Sequence, residues 1–311
     1  MMKWLAGAAM LAAGCGPAAA QGLVAQRGDA GVLRDGSRVE AIELSNGRGI
    51  TARILTYGAT LQSLVVPDRR GQLDDIVLGH DTAAEYEATQ DFLGVTVGRY
   101  ANRIDGGKFV LDGRTFQLRQ NDGANSLHGG GQGFDRANWR VRSVQSGPRA
   151  SVVLEHVSPD GHSGYPGEVT TTVTYSMDEA GALTIAFAAT TTKPTIMNMT
   201  NHALFNLGGD CSPGGALNAR LTMPAGRYNP VSEALIPNGE PGSPDVLAKM
   251  MSWVAWCSPE LNRFLPLITH SSPSATAVVS RKVASDPWFG SVSPKARRRV
   301  PSRKPGIQSA Y

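Results

Sequence analysis

The fold class is decided by residues 169–177, which read VTTTVTYSM. The apolar residues at positions 169, 173, 175 and 177 share one face of an extended strand, and threonines and a serine line the other. Leu183–Phe187 alternates in the same way, and Asp178–Gly181 between the two segments has turn-forming residues. The two segments therefore predict an antiparallel β-hairpin.

Further elements are predicted on both sides of this hairpin. Lys108–Leu111 and Thr115–Leu118 form a second hairpin through Asp112-Gly113, a dipeptide that favours a tight turn. The other predicted elements are the strands Ile54–Tyr57 and Val152–His156 and a short helix at Thr82–Ala88. Many short strands between Gly-rich turns predict an all-β fold, an antiparallel sandwich or barrel.

The composition is that of a folded chain. Of the 311 residues, 41% are apolar and 18% are charged, which excludes a largely disordered protein. No apolar run approaches the roughly 20 residues that span a bilayer, so no membrane span is expected. The three cysteines, Cys15, Cys211 and Cys257, have no metal-ligand spacing, and we expect no metal site.

The positive charge is concentrated at the C-terminal end. Residues 241–311 hold ten Lys and Arg against three Asp and Glu, a balance of +7, while the whole chain carries +4. The body is therefore mildly acidic at −3, and no nucleic-acid partner is expected. Nine of the nineteen prolines also lie in residues 241–311, and strand alternation stops there. We predict a disordered, basic tail.

Residues 1–20 are predicted to be an export signal. Lys3 precedes the apolar stretch Trp4–Ala13, and small residues follow. Three alanines before Gln21 fit a signal-peptidase site, while Cys15 offers lipid anchoring as a less favoured alternative, because no Leu lies three residues before it. We expect an exported, periplasmic protein whose folded domain covers residues 21–240.

Four polar clusters interrupt the strand pattern. They read GRYANRI at 98–104, NSLHGG at 125–130, GYPG at 164–167 and TNHALFNL at 200–207. The imidazoles of His128 and His202 titrate near neutrality and can exchange protons at working pH. Asn and Arg side chains suit hydroxyl-rich ligands. Each of these residues alone has an ordinary structural explanation, but their combination indicates a site.

Together the clusters resemble the aldose 1-epimerase (galactose mutarotase) family. Further similar stretches are LTYGATL at 55–61, DIVLG at 75–79, RYNPV at 227–231 and LIPNGE at 235–240. The resemblance extends over about two thirds of the chain. It implies a large antiparallel β-sandwich with an open groove for a sugar.

The resemblance also implies residue roles. His202 matches the general acid, which protonates the ring oxygen of the sugar, and His128, Asn102, Arg103 and Tyr165 match substrate-binding positions. A carboxylate removes the C1 hydroxyl proton, the ring opens, and it recloses as the other anomer. Every step is a proton transfer, so no cofactor is expected, and the partner is a free aldohexose such as glucose or galactose.

One departure concerns the general base. The family has a base Glu near its C-terminus, and no matching motif follows Glu240. The likeness ends near residue 242, as a reading-frame slip would produce, and we expect the strands that close the sandwich to be missing. The general base is thus not identified.

Several functions stay open. An aldose 1-epimerase is the first, and an inactive sugar-binding member without the base is the second. A relative acting on phosphorylated or polymeric sugars is disfavoured by the acidic body. An adhesion sandwich would leave the two histidines unexplained. The preferred aldose and the oligomeric state do not follow from the sequence.

Overall fold

Where the chain is described, its regular secondary structure is almost entirely β-strand. A computed structural model describes residues 22–209, 216, 219, 227 and 229–239, together with a strand at 277–279. Its strands are β1 (Val24–Val32), β2 (Arg38–Ser45), β3 (Thr51–Leu55), β4 (Thr60–Pro67), β5 (Leu73–Asp75), β6 (Thr96–Val97), β7 (Arg103–Ile104), β8 (Lys108–Leu111), β9 (Arg114–Gln117), β10 (Ser126–Leu127), β11 (Arg140–Gln145), β12 (Ala150–Ser158), β13 (Val169–Met177), β14 (Leu183–Thr191), β15 (Thr200–Asn201) and β16 (Ala277–Val279). The helix α1 spans Ala83–Ala88, and short 3₁₀ turns lie at Asp105–Gly107, Phe134–Arg136 and His162–Gly164. All paired strands are antiparallel, which confirms the all-β prediction.

Two five-stranded sheets form the body of the fold. Their orders are β1-β2-β3-β4-β5 and β11-β12-β13-β14-β16. One core joins them, with Ile42 and Ile54 from the first sheet and Val173 and Tyr175 from the second, all fully buried. Burial of apolar side chains between two sheet faces is the main stabilising term of such a fold. The molecule is therefore a β-sandwich.

The predicted faces of β13 are confirmed. The apolar residues at positions 169, 173, 175 and 177 are buried, and the threonines at 170, 172 and 174 are half-buried. Ser176 departs from the pattern because it is buried as well. The hairpin with β14 pairs Met177 with Leu183, and β14 continues to Thr191, four residues beyond the predicted Phe187.

Strand β2 of the first sheet is buried on both faces. Neighbouring residues of β2, Ala41 and Ile42, belong to different cores, because α1 packs on the outer face through Ala83 and Tyr86. The helix begins where predicted: the Thr82 hydroxyl accepts the Glu85 N–H, and the Glu85 carboxylate accepts the Thr82 N–H. This capping box stabilises a helix of only six residues. Strict alternation is consequently lost in β2.

Several predicted strand boundaries are wrong. The strand expected at Ile54–Tyr57 ends at Leu55, because the chain turns at Gly58, whose φ of +67° lies in the left-handed region. The second predicted hairpin is confirmed as β8 and β9, with β9 beginning one residue early at Arg114.

Both ends of the chain lie largely outside the described residues. The export signal at 1–20, with Cys15, is outside them and stays a prediction. Of the tail at 241–311, the structure describes Ala277–Val279, which pair with Leu183–Ile185 as β16. Within the described part, no helix has the length and apolar character needed to cross a membrane.

Candidate active site

His128 is fixed by the backbone beside it. It follows β10, whose Leu127 pairs with Arg103 of β7. The Asn102 N–H donates to His128 Nδ1 at 2.9 Å, and the His128 N–H donates to the Asn102 carbonyl at 3.1 Å. A ring nitrogen that accepts carries no proton, so neutral His128 holds its proton on Nε2. Burial, followed by the charges of His202 and Arg103, lowers the pKa of His128 to about 3.

Unusual backbone conformations hold this arrangement. Asn102 and His128 have φ values of +65° and +51°, in the left-handed region. Gly129 has a φ of +96°, and a Cβ there would overlap the carbonyl oxygen of Gly98. Glycine is therefore required directly after His128, which gives the His-Gly-Gly pattern a steric reason.

His202 enters the site from another part of the chain. It follows β15, which pairs with β6. Its N–H donates to the Val95 carbonyl at 2.8 Å, and its carbonyl accepts the Gly94 N–H at 3.1 Å. Burial lowers the pKa of His202, although the charge of Asp91 opposes the shift. His202 Nδ1 is enclosed and has no hydrogen-bond partner, so Nε2 is the nitrogen that would meet a ligand.

The neighbouring Asn201 fixes the backbone of His202. Its amide nitrogen donates to the Gly94 carbonyl at 2.7 Å and to the Tyr175 hydroxyl at 3.0 Å, and its oxygen accepts the Ala203 N–H at 3.0 Å. The Tyr175 hydroxyl in turn donates to the Ala59 carbonyl at 2.7 Å. Burial raises the pKa of Tyr175, so it remains a neutral donor. The sandwich core thus determines where His202 lies.

The two imidazoles meet edge to face. The centroids of His128 and His202 are 5.1 Å apart, with an interplanar angle of 85°. Phe92 contacts both rings, at 4.7 Å from His128 and 5.9 Å from His202. The two imidazoles therefore share one apolar wall. The prediction that His128 titrates near neutrality is wrong, because burial lowers its pKa to about 3.

Arg103 lies beside this pair but is engaged by a carboxylate. Its Nε donates to Asp122 Oδ2 at 2.6 Å, and Nη1 donates weakly to Asn102 Oδ1 at 3.4 Å. The Arg103 side chain is only 16% exposed. The structure therefore brings Asn102, Arg103, His128 and His202 together, and it adds Asp122, which the sequence analysis did not select.

Tyr165 is placed differently. It is 1% exposed, its ring lies 6.3 Å from that of Phe109, and the Arg99 guanidinium lies 5.7 Å from its centroid. Burial raises the pKa of Tyr165 to about 12. These ring contacts are with residues other than the two histidines, so a substrate-binding role for Tyr165 stays a prediction.

A histidine–carboxylate pair close to the site was missed by the sequence analysis. His80 Nε2 lies 2.7 Å from Asp91 Oδ2 and 3.1 Å from the Thr89 hydroxyl. The hydrogen bond with Asp91 raises the pKa of His80 against the effect of burial. Burial alone would raise the pKa of Asp91, but the His80 contacts outweigh it and lower that pKa. Neither residue lies in one of the family-like motifs, and the neighbouring Phe92 is apolar. The sequence analysis therefore selected none of the three.

The carboxylates that reach this cluster already have partners. Asp91 and Asp122, whose charges or bonds reach the cluster, are each engaged by a basic side chain, His80 and Arg103 respectively. Residues after 239 lie outside the described part apart from β16, so the predicted lack of a base there stays a prediction. In the described ranges, no three His, Cys, Asp or Glu side chains gather as metal ligands would.

Comparison with known proteins gives one family. The sequence profile of the aldose 1-epimerase family matches residues 40–245. The chain is similar to the galactose mutarotase of Bos taurus, 42% identical over 202 residues, covering 65% of this chain and 57% of that protein. It is also similar to the aldose 1-epimerase of Escherichia coli (strain K12), 37% identical over 204 residues, covering 66% of this chain and 58% of that protein.

A solved structure agrees with these relatives. The galactose 1-epimerase from Lactobacillus acidophilus NCFM superimposes with a TM-score of 0.62 at 30% identity, covering 71% of this chain and 63% of that chain. The chain spans less than three fifths of the length of the curated relatives named above, at 57% and 58%. With the profile matching about two thirds of its residues, the chain belongs to the aldose 1-epimerase family.

Proposed function

We propose that this protein is an isomerase that interconverts the α and β anomers of a free aldohexose such as galactose or glucose, as a step in hexose metabolism. The observation that carries the proposal is the His128–His202 pair, with centroids 5.1 Å apart beside Asn102 and Arg103. Family membership supports the reaction class. The arrangement offers several donors and acceptors to a polyhydroxylated ligand.

His202 acts as the general acid in this proposal. Its Nε2 donates a proton to the ring oxygen while a base takes the proton of the C1 hydroxyl, and the C1–O bond to the ring breaks. Rotation about C1–C2 and reversal of the proton transfers close the ring as the other anomer. The lowered pKa makes the imidazolium a stronger acid but reduces its population at neutral pH.

His128, Asn102 and Arg103 bind the substrate. Because His128 Nδ1 accepts from the Asn102 N–H, its Nε2–H is the donor directed to a sugar oxygen. Arg103, fixed by Asp122, presents its remaining guanidinium N–H groups. No metal or organic cofactor is required for these proton transfers.

A sugar-binding protein without turnover is the second candidate. It is favoured by one observation: the carboxylates Asp91 and Asp122, the two described ones whose charges or bonds reach the cluster, are already engaged, Asp91 by His80 and Asp122 by Arg103. Loss of a general base costs about 10² to 10⁴ in rate while leaving binding groups in place.

Polarimetry of the full chain separates the two. Fresh α-D-galactose or α-D-glucose is followed to anomeric equilibrium, and the epimerase proposal expects a rate that rises in proportion to protein concentration. Sugar binding is measured in parallel by isothermal calorimetry. Binding with only the buffer rate of mutarotation would refute the epimerase and support the binding protein.

We also propose that the protein acts after export. The signal-like residues 1–20 support this. Mass analysis of the chain recovered from a bacterial envelope fraction tests it. A mature terminus at Gln21 supports secretion, a lipid-modified Cys15 supports anchoring, and an intact Met1 in the cytoplasm contradicts both.

A further inference from the structure

The loop at 89–94 carries an aromatic residue into the candidate site. Phe92 is partly exposed, and its ring contacts both His128 and His202. Its φ of +61° is unusual for a bulky residue, and such a strained conformation persists only where the surroundings impose it. The loop must therefore be held by contacts outside Phe92 itself.

Those contacts lie on both sides of Phe92. On one side, Asp91 is bonded to His80 at 2.7 Å, and its other oxygen accepts the Leu93 N–H at 3.4 Å. On the other, Gly94 donates its N–H to the His202 carbonyl and accepts from Asn201. The loop is thus anchored immediately before and two residues after Phe92.

The anchor at His80 is itself rigid. The His80 N–H donates to the Tyr86 hydroxyl at 3.1 Å, and the two rings meet edge to face at 4.9 Å. Tyr86 is 4% exposed and belongs to the helix packed on the first sheet. A path of direct contacts therefore runs from α1 through His80 and Asp91 to Phe92.

A pyranose has an apolar C–H face as well as hydroxyl groups. Sites for such ligands pair apolar or aromatic walls with a few placed polar groups. We propose that Phe92 is a substrate-contacting wall for the C–H face of the aldose, and that His80 and Asp91 are positioning residues that hold Phe92 against the two histidines. This inference rests on the proposed sugar site, though not on turnover.

Affinity for galactose tests the wall. The full chain is titrated calorimetrically as wild type, Phe92→Leu and Phe92→Tyr. The loss of an aromatic contact in Phe92→Leu is expected to weaken binding about five- to tenfold, while Phe92→Tyr keeps the ring and stays within about twofold. Phe116→Leu is the matched control: Phe116 stacks on Phe109 in the β8–β9 hairpin, so affinity should be unchanged.

Imidazole proton shifts test the positioning role without any sugar. A nearby aromatic ring shifts the resonances of His128 and His202, so Phe92→Leu defines the change caused by losing that ring. His80→Ala should reproduce this change because the loop loses its anchor. His80→Gln, whose side-chain amide can still donate to Asp91, should keep the wild-type shifts. If His80→Ala does not fold, Asp91→Asn replaces it and is followed at His128, because the Asp91 charge acts directly on His202. The His128 shifts should then move in the same direction.

The outcomes separate this inference from the proposed reaction. Wild type that binds galactose without turnover, with Phe92→Leu weakened, overturns the epimerase but supports the wall. Unchanged affinity in Phe92→Leu, or equal loss in Phe116→Leu, overturns the wall whatever the turnover. Wild-type histidine shifts in a folded His80→Ala or Asp91→Asn overturn the positioning role. No galactose binding by the folded wild type overturns both proposals.

Discussion

His156 and the His128–His202 pair show how similar a structural and a functional histidine can appear. His156 lies on β12 between the rings of Phe134 and Trp139, at 5.3 and 5.4 Å. Burial lowers its pKa to about 4, and its Nε2 is enclosed without a partner. His128 has a pKa lowered to about 3 by the same cause, and His202 has an enclosed Nδ1. Burial and pKa therefore do not distinguish the two regions.

The surroundings do distinguish them. His156 lies within a nine-residue strand, as its seventh residue, and contacts aromatic rings of the core. His128 and His202 follow strands of two residues each and face one another, and His128 has Asn102 and Arg103 as polar neighbours. Convergence of polar groups at strand ends, where a ligand can approach, marks a functional site more reliably than a shifted pKa.

The largest expected difference between the two regions is the effect of a substitution on the mutarotation rate. His202→Ala removes the proposed acid and is expected to lower the mutarotation rate about 10² to 10⁴-fold. His156→Leu replaces an imidazole between core rings and should leave the rate within about twofold of wild type. Polarimetry at equal concentrations of folded protein measures both. Equal losses in the two variants would mean that the rate reports fold integrity rather than acid catalysis.

The sequence predicted these regions unequally. His128 and His202 lie in Gly-rich and Asn-containing clusters that can be recognised from the local sequence. The His80–Asp91 pair lies eleven residues apart without periodicity, and Phe92 is an ordinary apolar residue. Their roles arise from tertiary contacts, which no local pattern encodes.

Strand prediction had the same physical limit. Alternation identified β13, which has one buried face, but it is lost in β2, where α1 covers the second face. The Asn201 hydrogen bonds to Gly94 and Tyr175 join distant parts of the chain. The sequence shows that Asn201 stands beside His202, but not that its side chain holds the backbone there.

Acid should destabilise the protein through His156, and a variant without this imidazole should lose less stability. The His156 pKa is about 4 in the folded state and about 6.5 when unfolded, so between these values the unfolded chain binds the proton first. Stability is lost as the pH falls from about 6.5 to 4, by about 3 kcal/mol from this residue. His156→Leu should lose about 3 kcal/mol less than wild type over this range.

Urea denaturation at pH 7 and pH 4 measures that difference. His128 contributes acid sensitivity of the same sign, and Asp135 the opposite sign because burial raises its pKa to about 6. Both are present in wild type and variant, so they cancel in the comparison. The same pH dependence in His156→Leu and wild type would contradict the assignment.

Removing the support of His202 should have an intermediate effect. Asn201→Ala deletes the donors to the Gly94 carbonyl and the Tyr175 hydroxyl, and should cost about 2 kcal/mol of unfolding free energy together with a loss of activity. Asn138→Ala is the control, because Asn138 donates to the Arg38 carbonyl at an exposed position. Chemical denaturation and polarimetry would detect the contrast, and equal effects would argue against a positioning role.

The smallest expected effect is the loss of an exposed ion pair. Arg27 and Glu40 form an exposed pair between β1 and β2, with Nε and Oε2 3.5 Å apart. Glu40→Gln should cost less than about 1 kcal/mol and leave activity unchanged, because solvent screens such pairs. Denaturation in low and high salt checks this. A larger, salt-insensitive loss would show that removing a surface charge is not neutral in this sandwich.

The Asn201 bonds also constrain the order of folding. Asn201 reaches back 107 residues to Gly94 and 26 residues to Tyr175. Closing such a long loop is entropically slow compared with forming the β13–β14 hairpin. During refolding, sugar binding should therefore return after most β-structure has formed. In a nascent chain, the His128–His202 pair is complete only after the first two hundred residues have been synthesised and have folded together.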